Sequence, residues 1–153
     1  MATPDFVLAL REKVGTSPLW LCGATAVVVK DGDILLVRRA DNGAWTPVTG
    51  IVDPGEHPAT AARREVREEA AVEAECTRLA RVGVTELVTY ENGDQSQYVD
   101  LTFRLEWRSG DPHPADGENT EARWFSPRSL PQMSDDMAAR IAAALPERGE
   151  ALF

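Results

Sequence analysis

Cysteine and histidine are scarce in this sequence. The chain of 153 residues has two cysteines, Cys22 and Cys76, and two histidines, His57 and His113. The cysteines lie far apart, and neither belongs to a CxxC pair. This spacing excludes a zinc knuckle and a framework of disulfides, because both need several ligands or paired thiols at characteristic separations.

Long apolar runs are also missing. The longest nearly apolar segment, Leu19 to Val29, is much shorter than the roughly 20 residues that a membrane-spanning helix needs. The first residues, Met1 to Asp5, have neither the basic region nor the apolar core of a secretory signal. We therefore expect a cytoplasmic protein with no membrane partner.

Basic residues are outnumbered by acidic ones. The 16 lysines and arginines and the 25 aspartates and glutamates give a formal net charge of −9. A chain with this charge repels polyanions, so we expect no nucleic acid polymer among its partners. A small phosphorylated molecule is still compatible with the charge when a cation neutralises the contact.

The composition, with 43% hydrophobic and 27% charged residues, is that of a globular protein. The length predicts a single domain, 1–153. Apolar residues at helical spacing from Pro4 to Val14, followed by Gly15, predict an N-terminal helical extension over residues 1–15. Strands before, between and after further helices indicate an α/β or α+β domain with a mixed sheet. The predicted elements are a hairpin at 25–37, an extended piece at 45–51, a helix at 59–70, strands at 76–90, 97–107 and 121–125, and a helix at 134–145 that Ser134 caps.

The helix at 59–70 carries an acidic cluster. Glu65, Glu68 and Glu69 have the spacing i, i+3 and i+4, and a helical wheel predicts them on a face roughly opposite the apolar stripe. Like charges at this spacing destabilise an isolated helix by a few tenths of a kcal/mol, roughly. One interpretation is a solvated face that neighbouring arginines neutralise. The other is a metal site, because a Gly/Pro-rich loop leads into the helix and carboxylates with backbone carbonyls are the ligands that Mg²⁺ prefers.

The segment from Gly50 to Val72 resembles the Nudix box, Gx5Ex7REUxEExGU, in which U is aliphatic. Gly50, Glu56 and the run that begins at Arg64 match eight of the nine specified positions, and Ala71 replaces the last glycine. The resemblance implies a Nudix-type α/β/α sandwich in which the box forms a loop, a helix and a second loop. It also implies an enzyme that cleaves a phosphoanhydride bridge with Mg²⁺ or Mn²⁺.

The resemblance assigns roles within the box. It makes Glu68 and Glu69 direct metal ligands, Glu65 a third ligand or an orienting base, and the Gly50 carbonyl a backbone ligand. The attacking nucleophile would be a metal-bound water.

Two further roles follow from the resemblance. Glu56 and Arg64 should form a charge pair that holds the loop against the helix. The general base is either a box glutamate or a carboxylate on a later loop, and Glu118 is the first of the later candidates because it precedes a predicted strand. The other later candidates are Glu121, Glu91 and Asp94.

Several functions agree with the box. A pyrophosphohydrolase that acts on a (d)NTP is the main expectation. A dinucleoside polyphosphate hydrolase is an alternative, because Tyr90 stands 18 residues after Val72 and is similar to a tyrosine that such enzymes carry. A non-catalytic nucleotide-binding regulator of the same fold is a third. The resemblance also suggests a homodimer.

Ala71 raises a structural question. The glycine usual at this position suits the left-handed conformation just beyond a helix end. Alanine is the best helix former, so we expect the helix to continue through Val72 and Glu73.

Overall fold

The computed structural model describes residues 3–153, so the first two residues of the predicted extension lie outside the described part. It contains three helices, α1 (Asp5–Val14), α2 (Pro58–Ala70) and α3 (Asp135–Ala144). None of these helices is both long and apolar enough to cross a bilayer. The strands are β1 (Leu19–Lys30), β2 (Asp33–Arg39), β3 (Trp45–Thr46), β4 (Val48–Ile51), β5 (Glu73–Val84), β6 (Val88–Thr89), β7 (Gln95–Ser109) and β8 (Asn119–Phe125).

The sheet is mixed, as predicted. Its main path runs β3-β2-β1-β7-β5, with β4 paired to β1, β6 to β7 and β8 to β2. β1 and β7 are parallel over eleven residue pairs, from Leu19↔Ser96 to Val29↔Glu106, and the other pairings are antiparallel. The predicted hairpin is present, because Lys30 pairs with Asp33 across a tight turn.

Each face of the sheet packs against a helix. Along β1, Ala26 and Val28 contribute to the core beneath α2, whereas Val27 and Val29 contribute to the core beneath α3. This alternation is the period of two that a strand buried on both faces requires. The resulting layers form the α/β/α sandwich that the resemblance implied.

The helix ends agree with the local sequence, apart from Ala71. Pro58 begins α2, where its missing N–H costs nothing, and the Ser134 hydroxyl accepts a hydrogen bond from the Met137 N–H at the start of α3. Ala71, however, has φ 55° and ψ 32°, which is the left-handed conformation, and α2 ends at Ala70. The expected continuation through Val72 and Glu73 is therefore wrong.

Tertiary contacts explain why α2 stops there. The loop after β7 crosses the helix end, where the His113 N–H donates to the Ala70 carbonyl at 3.2 Å and the Ala115 N–H donates to the Glu69 carbonyl at 3.1 Å. A Cβ at Gly110 would lie 2.5 Å from the Ala71 carbonyl oxygen, so the two segments approach closely. Glu73 then begins β5 by pairing with Ser109. These contacts outweigh the helix propensity of alanine.

Replacing Ala71 with glycine is expected to stabilise the protein. An L-residue with a Cβ is strained in the left-handed region, and glycine removes that strain at some cost in unfolded-state entropy. The expected net gain is about 0.5–1 kcal/mol in the free energy of unfolding, measured by urea denaturation. Ala70→Gly, inside the same helix, is the control and should destabilise by about 1 kcal/mol. Destabilisation by Ala71→Gly would contradict the assigned conformation.

Candidate active site

The acidic residues of α2 are not all on a solvated face. Glu65 is 1% exposed and Glu69 is 5% exposed, whereas the side chain of Glu68 is 45% exposed. The prediction of a face opposite the apolar stripe was wrong for Glu65 and Glu69, because these residues follow Ala62 by three and seven positions and therefore border that stripe. In the fold, the sheet covers one side of α2 and the loop 110–118 contacts its last turn, so two of the three carboxylates are enclosed.

Arg64 contacts three carboxylates of the site. Its Nε and Nη2 donate to Glu56 Oε1 and Oε2, both at 2.9 Å, in a bidentate pair. Its Nη1 donates to Glu65 Oε1 at 2.7 Å and to Glu68 Oε2 at 3.1 Å. The guanidinium holds the pKa of Glu56 below its usual value, and the carboxylates raise the pKa of Arg64. The predicted contact between Glu56 and Arg64 is confirmed, and it joins the loop to the helix.

Glu65 packs directly against β4. A Cβ built at Gly50 would overlap the carboxyl group of Glu65, so any larger residue at this position would force the Glu65 side chain to move. Burial raises the pKa of Glu65 to about 7; Arg64 opposes this shift, and the charges of Glu69 and Glu68 add to it. Glu65 Oε2 has no hydrogen-bond partner within residues 3–153. The side chain therefore presents one free, buried carboxylate oxygen beside the Gly50 backbone.

Glu69 is the second buried carboxylate of α2. Its Oε2 accepts a hydrogen bond from Asn119 Nδ2 at 2.9 Å. Carboxylate oxygens of Glu69, Asp116 and Glu118 lie within 4.8 Å of one another. Burial raises the pKa of Glu69, while the hydrogen bond from Asn119 lowers it and the charge of Asp116 raises it. The fold thus brings Glu118, predicted from a distant loop, next to a box glutamate.

The structure separates the later-loop candidates for the general base. Glu118 joins Glu69, whereas Glu121 is paired with Arg38 at 3.0 Å and with Arg123 at 2.7 Å. Asp94 lies in another turn and pairs with Arg11 at 3.6 Å. Of Glu118, Glu121 and Asp94, Glu118 is the one whose carboxylate lies near a glutamate of α2.

The donors present suit a hard divalent cation. Buried carboxylate oxygens and a closely packed backbone loop form the kind of oxygen-rich site that Mg²⁺ and Mn²⁺ prefer. Within the described residues, Glu69, Asp116 and Glu118 are the acids that meet within 4.8 Å. Glu65, Glu68 and Glu69 do not form such a group, and the carboxylates of Glu65 and Glu68 are paired with Arg64 instead.

Sequence reasoning missed Asp116 and Asn119. Both belong to the run Asp116-Gly117-Glu118-Asn119, in which three polar side chains that can bind a cation or orient a ligand lie within four residues. That run was a recognisable signal, but only the fold shows that it packs against Glu69.

Residues 21–147 of the chain match the family model described as NUDIX domain, and this range contains every residue of the site. A MutT-like protein of Streptomyces ambofaciens is 32% identical over 140 residues, which cover 90% of this chain and 85% of the relative. A Bacillus subtilis protein named putative 8-oxo-dGTP diphosphatase is 33% identical over 111 residues, covering 71% of this chain and 68% of the relative. A Pseudomonas aeruginosa protein named NAD-capped RNA hydrolase NudC is 32% identical over 110 residues, covering 70% of this chain and 37% of the relative.

The fold has solved counterparts. The crystal structure of an ADP-ribose pyrophosphatase from Streptococcus suis is similar to this chain with a TM-score of 0.69 and 21% identity, covering 87% of this chain and 98% of the other. This likeness shows the fold. The match to the family model and the MutT-like relative establish that the chain belongs to the Nudix hydrolase family, the pyrophosphohydrolases that act with divalent metals on small nucleotide substrates.

Proposed function

We propose that this chain hydrolyses the P–O–P bridge of a nucleoside di- or triphosphate derivative, with a (d)NTP as substrate and Mg²⁺ or Mn²⁺ as cofactor. The observation that carries the proposal is Glu65, whose Oε2 is buried beside Gly50 and has no partner within the described residues. A buried carboxylate oxygen without a partner is costly to maintain. A bound cation would remove that cost.

The box glutamates and the Gly50 backbone are the proposed metal ligands. Glu68 and Glu69 would bind directly, with Glu65 as a third ligand or an orienting base and the Gly50 carbonyl beside them. A divalent cation in this position would polarise the phosphoryl oxygens and lower the pKa of a coordinated water. Arg64 supports this arrangement because it holds Glu56, and with it the preceding loop, against α2.

Glu118 is the proposed general base. Its carboxylate oxygen lies within 4.8 Å of oxygens of Glu69 and Asp116, close enough to a cation on Glu69 to accept the proton of an attacking water. Glu65 is the alternative within the box, because its buried Oε2 has no hydrogen-bond partner within the described residues.

Two observations bear on the substrate. The relative named putative 8-oxo-dGTP diphosphatase supports a (d)NTP, because this chain matches 68% of its length. A dinucleoside polyphosphate is the second candidate: Tyr90 is 43% exposed, and its hydroxyl lies 2.7 Å from that of Tyr98, which holds the ring in place for contact with a ligand.

A substrate panel tests the proposal. (d)NTPs, dinucleoside polyphosphates, ADP-ribose and NAD are incubated with the protein and Mg²⁺ or Mn²⁺, and the products are separated to identify the cleaved bridge. We expect metal-dependent hydrolysis of a (d)NTP that a chelator abolishes. Faster hydrolysis of a dinucleoside polyphosphate than of any (d)NTP would make the dinucleoside polyphosphate the substrate instead. Nucleotide binding without hydrolysis of any compound in the panel would indicate a non-catalytic nucleotide-binding regulator of the same fold.

The remaining expectations stay predictions. They are a single domain over 1–153 with an N-terminal extension, a homodimer, cytoplasmic location, and no nucleic acid polymer or membrane among the partners. The −9 net charge supports the exclusion of polyanions.

A further inference from the structure

A buried hydrogen bond connects β8 to α2, the helix that carries the glutamates of the Nudix box. Asn119 Nδ2 donates to Glu69 Oε2 at 2.9 Å, and the two residues are 7% and 5% exposed. A hydrogen bond from a neutral amide to a carboxylate is short-ranged and directional, and burial strengthens it. The contact therefore fixes how the Glu69 carboxylate is rotated about its terminal bond.

A β-bulge places Asn119 where it can make this contact. β2 and β8 pair in regular register up to Arg38↔Glu121, after which Arg39 pairs with Asn119, so Thr120 is an extra residue. Uninterrupted alternation would put Asn119 on the same face as Glu121, away from α2. The bulge returns Asn119 to the face of Ala122, which packs in the core beneath α2. Bulges commonly re-aim a side chain beside an active site in this way.

The neighbouring backbone holds the same end of the helix. The Ala115 N–H donates to the Glu69 carbonyl at 3.1 Å, and the Ala40 N–H donates to the Glu118 carbonyl at 2.8 Å. Glu69 is consequently held through its main chain by the loop and through its side chain by Asn119. The backbone contacts hold the helix end, whereas the amide of Asn119 contacts the carboxylate itself.

We propose that Asn119 is a positioning residue that orients the Glu69 carboxylate for the divalent cation. The proposal rests on the proposed function, in which Glu69 is a ligand. Residues that hydrogen-bond to a metal ligand set its orientation, and their loss typically weakens metal binding about 10–100-fold. Asn119 does not touch the reacting phosphate in this role.

Mn²⁺ binding tests the proposal without substrate. The dissociation constant is measured by electron paramagnetic resonance for the unmodified chain, Asn119→Leu and Asn119→Asp. Leucine has a similar size and no donor, and aspartate keeps the shape but replaces the donor with an acceptor. We expect both variants to bind Mn²⁺ at least about tenfold more weakly. Thr120→Ala, at the exposed bulge position, is the matched control and should bind like the unmodified chain.

A double-mutant cycle with Glu69→Gln separates positioning from a general structural effect. In the Glu69→Gln background, Asn119→Leu should weaken the residual Mn²⁺ affinity much less, because the glutamine that Asn119 then contacts has no charged oxygen to present to the cation. Circular dichroism and thermal melting without metal establish that each variant is folded.

Three results would overturn the proposal. Unchanged Mn²⁺ affinity in folded Asn119→Leu and Asn119→Asp would remove the positioning role and leave the proposed function standing. If Asn119→Leu weakened Mn²⁺ binding equally in the unmodified chain and in the Glu69→Gln background, Asn119 would act through a residue other than Glu69. An unmodified chain that binds no Mn²⁺ would overturn both this proposal and the proposed function.

Discussion

Replacing Glu69 with glutamine is expected to lower turnover by about 10²–10³-fold or more while the protein stays folded. The change removes the charge of one proposed metal ligand, and a bound metal contributes several kcal/mol of charge stabilisation in the transition state, with each 1.36 kcal/mol worth about tenfold in rate. The fold should tolerate glutamine because its amide oxygen can still accept the hydrogen bond from Asn119.

The measurement is the rate of phosphate or pyrophosphate release over a range of Mg²⁺ concentrations. Glu73→Gln is the control: it removes the same charge from an exposed residue at the start of β5, and it should leave turnover unchanged. Substantial activity in Glu69→Gln would remove Glu69 from the ligand set and shift the site toward Glu65 and Glu68.

Local patterns predicted the elements because their causes are local. The β-branched residues in the second half of β1, the proline at the start of α2 and the serine at the start of α3 act through neighbouring residues, and the structure has each element near its predicted place, although β1 begins already at Leu19. The contact between Glu56 and Arg64 was predictable for a different reason. The resemblance to the Nudix box implied it, and the structure shows the ion pair where the loop meets α2.

Long-range packing determined what could not be predicted. Glu65 and Glu69 border the apolar stripe of α2, but their burial depends on β4 and the loop 110–118, which the sequence of α2 does not specify. The same loop approaches Ala71 and makes the helix end in a left-handed residue. The partnership of Asn119 with Glu69 depends on one extra residue in β8, since a bulge reverses the face of every side chain beyond it.

The stability of the metal-free protein is expected to fall as pH rises from about 5 to about 8, and Glu65→Gln should remove the share of this dependence that Glu65 contributes, leaving the share of Glu69, whose pKa burial also raises. Burial raises the pKa of Glu65 to about 7 in the folded chain, whereas an unfolded glutamate titrates near about 4.3. Between these values the folded state holds a proton that the unfolded state has lost. Unfolding then releases a proton, so each rise in pH favours the unfolded state.

The size of the effect follows from the difference in pKa. Stability falls by about 1.4 kcal/mol for each pH unit between the two values, which amounts to about 4 kcal/mol across the window. Glutamine is neutral throughout and can still accept the hydrogen bond from Arg64. Glu65→Gln should therefore match the unmodified chain below about pH 4.5 and exceed it in stability by about 4 kcal/mol at about pH 8.

Urea denaturation in the presence of a chelator, at several pH values, measures this difference. Glu12→Gln, which changes an exposed glutamate of α1, is the control and should follow the unmodified chain at every pH. Parallel stability profiles for Glu65→Gln and the unmodified chain would contradict a raised pKa at Glu65.

Mg²⁺ should counteract the loss of stability at high pH, because a cation binds the ionised carboxylate and competes with the proton. Added Mg²⁺ is thus expected to stabilise the unmodified chain more at about pH 8 than at about pH 6, and to stabilise Glu65→Gln less at both.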